Sequence, residues 1–144
     1  MRALLFRFFV AGLFLVAGKT AFAQVEYHVH DTIEDIKVEY RWQRERFFGS
    51  DPNAVLNMRL TNLSDDYVVF SFVPAYYRDG VIIFEADEFT ICLAPGESLR
   101  GGRAGLRFVA DEITMSMVEQ EWFSWDISYV SAEIVDDCGD WEND

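Results

Sequence analysis

Basic residues, cysteine, histidine and proline are all scarce in this 144-residue chain. Twelve Lys and Arg stand against 25 Asp and Glu, a formal net charge of −13. Such a chain repels nucleic acids and anionic membrane surfaces at long range, which excludes the electrostatic footprint of a nucleic-acid binder. Only two histidines (His28, His30) and two cysteines (Cys92, Cys138) are present. There is no Gly-x-Ser-x-Gly, Ser-x-x-Lys, His-Glu-x-x-His or Cys-x-x-Cys. A Ser-His-Asp arrangement would have to draw on histidines close to one end of the chain, where segments are seldom held rigidly. The inventory therefore points away from an enzyme; a carboxylate- or metal-dependent hydrolase is the one exception it leaves open. No cofactor is expected.

The first 23 residues read as a cleaved secretory signal. Arg2 and Arg7 supply the positive start, Phe8 to Gly18 an apolar core, and Ala21-Phe22-Ala23 a small-x-small cleavage site before Gln24. That core is too short to span a bilayer, which takes roughly 20 apolar residues in a helix. The expectation is an exported protein, periplasmic or extracellular, with no membrane insertion once the signal is removed. Cleavage removes Arg2, Arg7 and Lys19 but no acid, taking the net charge from −13 to −16. Residues 24–138 are expected to form a single domain, with 139–144 an acidic flexible tail. In an oxidising compartment Cys92 and Cys138 should form one disulfide. The closed loop of 46 residues corresponds to about 4 kcal/mol on the chain-entropy model.

What is abundant is β-forming, aromatic sequence with a period of two. Ile36, Val38, Tyr40 and Trp42 alternate with Lys37, Glu39, Arg41 and Gln43, and Leu56, Met58 and Leu60 with Asn57, Arg59 and Thr61. Asn62 to Asp66 reads as a polar loop, and its Asn62-Leu63-Ser64 is a glycosylation acceptor in a eukaryotic source. Tyr67 to Val73 is almost wholly apolar, as a central strand is. Asp79-Gly80 between β-formers predicts a type I′ hairpin. In that hairpin Tyr77 should face Ile82 and Tyr76 should face Ile83, while Pro74 leaves open which pair is buried. Phe89 to Leu93 is a further strand, closed by an Ala94-Pro95-Gly96-Glu97 turn. Leu99 to Leu106 reads as a glycine-rich loop, and Leu106 to Ala110 as extended chain. Ile113, Met115 and Met117 alternate with Thr114 and Ser116, which favours strand over helix. Phe123, Trp125, Ile127 and Tyr129 alternate on one face of a last strand reaching about Val135. Seven to nine short strands at such spacing predict an all-β fold, an antiparallel β-sandwich that is immunoglobulin-like in the broad sense. The likeness stops at architecture. No Trp follows soon after Cys92, and Asp136 stands where a tyrosine corner needs Tyr.

Three groups of residues are candidates for a site. Lys37, Arg41, Arg44 and Arg46 form one basic segment, and Arg100, Arg103 and Arg107 form a second, interleaved with Gly101, Gly102 and Gly105. Guanidinium forks, and backbone N–H groups freed by glycine, would grip carboxylate, phosphate or sulfate if the segments meet. Trp42, Tyr76, Tyr77 and Trp122 are candidates for an aromatic platform for sugars. His28 and His30, two residues apart, are a weak candidate metal pair, with Glu26, Asp31 or Glu34 adding oxygen. The acidic runs at Asp65-Asp66, Glu85 to Glu88 and Asp136 to Asp144 lack calcium-loop spacing and read as solvated. The leading expectation is a non-catalytic protein-interaction or structural module of the cell envelope or secreted milieu. The alternative is a carbohydrate-binding module using surface aromatics and the arginine/glycine loop for acidic glycans. The partner is then another protein or a glycan.

Overall fold

A computed structural model describes residues 26–45 and 50–139. The signal segment, Arg46 and the last five residues lie outside these. Nine strands form two antiparallel sheets that face each other across one apolar core. β1 (His28–Ile33), β2 (Ile36–Arg44) and β3 (Asn53–Asn62) form a meander in the first sheet. β4 (Tyr67–Arg78) crosses to the second sheet and is its central strand. β5 (Val81–Glu85) and β6 (Phe89–Leu93) share one side of β4, and β9 (Phe123–Val135) takes the other. β7 (Ser98–Arg100) and β8 (Arg107–Thr114) return to the first sheet and share the free side of β3.

The period of two chooses the faces. Ile36 and Val38 on β2, and Leu56, Met58 and Leu60 on β3, point into the core against Val68, Phe70, Phe72 and Tyr76 of β4. β4 is buried on both faces almost throughout, which is why its sequence is a continuous apolar run rather than an alternation. Pro74 lies within β4 without breaking it, and Tyr76, 1% exposed, is the inward member of the tyrosine pair. Burial pushes the Tyr76 hydroxyl's pKa above its ordinary value. The hairpin turn has φ 49° at Asp79 and 78° at Gly80, as type I′ requires. Tyr77 faces Ile82 as expected, but Tyr76 faces Phe84, because a register shift in the hairpin skips Ile83.

Two further expectations give way to local geometry. Met115–Val118 forms one helical turn rather than strand, which lets Met115, Met117 and Val118 all pack on the core. On β9 an extra residue between Ser128 and Ser131 breaks the alternation. Tyr129 takes φ 50° there and points outward, 75% exposed, where the alternation had placed it inside.

Asn62 knits one end of the sandwich. Its amide nitrogen donates to the carbonyls of Asp66 (2.7 Å), Ala94 (3.1 Å) and Leu93 (3.2 Å). Its amide oxygen accepts from the backbone N–H and hydroxyl of Ser64. Fully buried and saturated, this nitrogen is not available as a glycan acceptor in the folded chain. The Cys92–Cys138 disulfide joins β6 to the segment after β9, so the chain crosses over the end of β4. It therefore ties two strands of one sheet and does not pin the two sheets together.

Candidate functional site

The two basic segments do meet, on the outward face of the first sheet. Residues paired directly across an antiparallel ladder share a face. Arg41 pairs with Asn57 and Asn57 with Arg107, while Glu39 pairs with Arg59 and Arg59 with Arg100. The sequence places Arg100 and Arg107 seven positions apart, yet they occupy successive outward positions beside β3. A four-residue excursion makes this so. Gly101 and Leu106 both bond to Met58, and the 3-10 turn Gly102–Ala104 bulges away between them. Gly105 takes φ 73° against the Phe89 ring, and Leu106 re-enters the core.

Arg59 is the residue that the two-segment reading missed. It lies in the sequence between the segments and in space between their strands. Its Nε and Nη2 donate to Glu39 at 2.6 and 2.7 Å, and Lys37 Nζ lies 3.0 Å from the same carboxylate. Led by the Arg59 hydrogen bond, these contacts hold the Glu39 carboxyl below its ordinary range although burial opposes them. The Tyr27 ring lies against the Arg41 and Arg59 guanidinium groups, 4.8 and 4.7 Å from its centroid. Glu39 and Asn57 are buried although they face outward. The only local signal for Arg59 was its place in the alternation with Asn57 and Thr61, because pairing to Glu39 depends on register.

Other candidates are placed differently. Arg44 points to the opposite face of β2 from Arg41, so it does not join the cluster. Arg103 rides on the excursion and, with Arg100, lines a shallow hollow of about 410 Å³ at the sheet edge. In the glycine-rich excursion the backbone N–H groups of Gly101, Ala104, Gly105 and Leu106 donate to carbonyls rather than facing an open anion site.

The four aromatics form no common platform. Tyr76 is core, and Trp42 is half-buried against Tyr76, Phe123 and Trp125. Tyr77, next to Tyr76 on the strand, faces the other way, and Trp122 lies under Arg78, 4.4 Å from guanidinium carbon to ring centroid. His28 and His30 both meet Tyr40, but His30 also stacks on Trp125 at 4.2 Å and bonds Asp126 through Nε2 at 2.8 Å. That contact docks β1 onto β9. Among the described residues no three His, Cys, Asp or Glu side chains converge as a metal site.

The second distinctive surface is β5. It is bonded to β4 on one side only among the described residues, and Val81, Ile82 and Ile83 are 66, 51 and 38% exposed. Glu85 at the end of β5, with Asp87 and Glu88 of the connection that follows, lines a cleft of about 430 Å³ together with Arg107 and Val109 of β8. None of the described helices is long and apolar enough to cross a membrane. Comparison with family models, with curated proteins and with solved structures finds no match.

Proposed function

We propose that this is an exported, non-catalytic protein-interaction module that receives an extended segment of a partner protein along β5. The free edge of β5, with three consecutive exposed branched side chains, carries the reading. Such an edge offers unpaired backbone N–H and C=O groups, and natural sheets usually protect it with charge, proline or cover. Strand addition uses those groups for affinity and alternate side chains for specificity. The partner segment is apolar at alternating positions. It is basic at the end that meets Glu85, Asp87 and Glu88, because Glu85 ends β5 and the other two follow it. Export is supported by the Cys92–Cys138 disulfide together with the signal-like start of the sequence.

The experiment is selection of extended peptides from a random display library against the purified protein. Enriched peptides should alternate apolar residues and end in Lys or Arg. They should lose binding to a Val81→Lys, Ile82→Lys variant whose melting temperature is unchanged. Peptides that bind this variant as well as the parent would place the interaction elsewhere.

A further inference from the structure

We infer that the outward face of β2, β3, β7 and β8 binds an acidic oligosaccharide, whose carboxylate or sulfate groups are held by Arg100 and Arg107. This site lies on the other sheet from the exposed β5 side chains; Arg107 borders the acidic cleft, but the β5 test varies only Val81 and Ile82, so either reading can fail alone.

Charge is the first argument. Lys37, Arg41, Arg59, Arg100 and Arg107 share this face with Glu39 at its centre, and Glu85, Asp87 and Glu88 line the cleft that Arg107 borders. The Glu39 carboxylate is already occupied by Arg59 and Lys37. Arg100 and Arg107 are exposed and make no ion pair among the described residues. Arg100 stands directly opposite Arg59, and like charges so placed repel. An anion between them relieves that repulsion. The chain's net charge of −13 makes such a concentration of cations exceptional on this molecule.

Geometry is the second. Neighbouring strands lie roughly 5 Å apart and successive outward residues roughly 7 Å apart. Arg59, Arg100 and Arg107 therefore occupy three corners of a patch the size of one or two sugar rings, with Asn57 at the fourth. The Glu39 bidentate pair and the Tyr27 ring hold Arg59 in place before any ligand arrives. Beside the patch, the hollow lined by Arg100 and Arg103 gives a ring somewhere to sit.

The rest of the face selects a sugar over an acidic protein. Thr61 and Ser98 present hydroxyl groups 2.9 Å apart, while the buried Asn57 amide donates to Gln43 at 3.0 Å. Hydroxyls beside guanidinium forks match a polyhydroxylated anion. A protein interface has an apolar centre; on this face Val109 is the one exposed branched side chain among the described residues of β2, β3, β7 and β8, whereas Val81 to Ile83 form a continuous run on β5.

The test is a nuclear magnetic resonance titration of the purified protein with trigalacturonate and with a sulfated tetrasaccharide. A neutral oligosaccharide of equal length and hexaglutamate serve as comparisons. At least one acidic sugar should bind saturably and shift the signals of Arg59, Arg100 and Arg107, and the preferred one tells carboxylate from sulfate recognition. Arg100→Gln with Arg107→Gln should weaken binding at least tenfold at an unchanged melting temperature, while Arg78→Gln should not. The inference fails if neither acidic sugar binds saturably or if the double variant binds as the parent does. It also fails if hexaglutamate binds as tightly as the sugars, since the face then recognises acidic peptide.

Discussion

Glu39 and Arg59 stand directly opposite each other on β2 and β3, and both carboxylate oxygens accept from the guanidinium group, at 2.6 and 2.7 Å. The pair is 20 residues apart in sequence and lies beneath Tyr27 on a face that alternation alone would call solvent-exposed. Because Glu39 is buried, removing Arg59 strands a carboxylate rather than merely losing a contact. Arg59→Ala should therefore cost about 3 kcal/mol in chemical denaturation, well beyond Arg78→Ala.

The same pair makes stability depend on acid. The folded Glu39 pKa lies below the ordinary value of 4.5, so its contribution is complete above that value and is lost as pH falls through the folded pKa. Arg59 shifts upward, so its share is lost only in strong alkali. Melting temperature should drop on acidification below pH 4.5, and the drop should be smaller in Glu39→Gln.

Asn62 shares its two amide hydrogens among three carbonyls, those of Asp66, Leu93 and Ala94. Asn62→Asp is nearly isosteric but turns a carboxyl oxygen toward those carbonyls. It should cost about 3 kcal/mol, at least as much as Asn62→Ala, by urea denaturation.

Gly105 is held by both conformation and space. Its φ is 73°, and a Cβ would lie 2.8 Å from the Phe89 ring. Gly105→Ala should destabilise by about 2 kcal/mol, whereas Gly102→Ala, whose nearest neighbour would be Arg107 Cδ at 3.8 Å, should cost about 1 kcal/mol or less.

The Cys92–Cys138 bridge closes a separation of 46 residues. Cys92→Ala with Cys138→Ala should lower stability by about 4 kcal/mol. Thiol titration of the unfolded, unreduced parent should find no free cysteine.

Legibility followed the range of the interaction. The Asp79-Gly80 turn was readable because positive φ at two successive positions is a property of those residues themselves. The Glu34-Asp35 turn between β1 and β2 also takes positive φ twice, at 48° and 61°, and carried a weaker signal, because Asp35 tolerates that region but Glu34 does not favour it and no glycine is present. Met115–Val118 misled the period-two reading because four residues are too few to distinguish a strand from one turn of helix, and packing decided. The arginine cluster was half legible: the two segments showed in composition, but Arg59 joined them only through its register on β3. The aromatic candidates could not be sorted, since a Trp or Tyr in an alternating strand reads the same on either face.

Composition and alternation alone determined that this acidic chain would build two facing layers of strand joined by tight turns, with a cysteine pair in reach of oxidation. Those properties belong to short stretches of backbone and to the hydrophobic period. Tertiary structure decided that Tyr76 rather than Tyr77 turns inward, where β9 bulges at Tyr129, and that Arg100 and Arg107 lie beside Arg59 and Asn57 on β3. The reason is physical: register is a property of pairs of strands, and one extra residue or one excised loop moves every later side chain to a new neighbour.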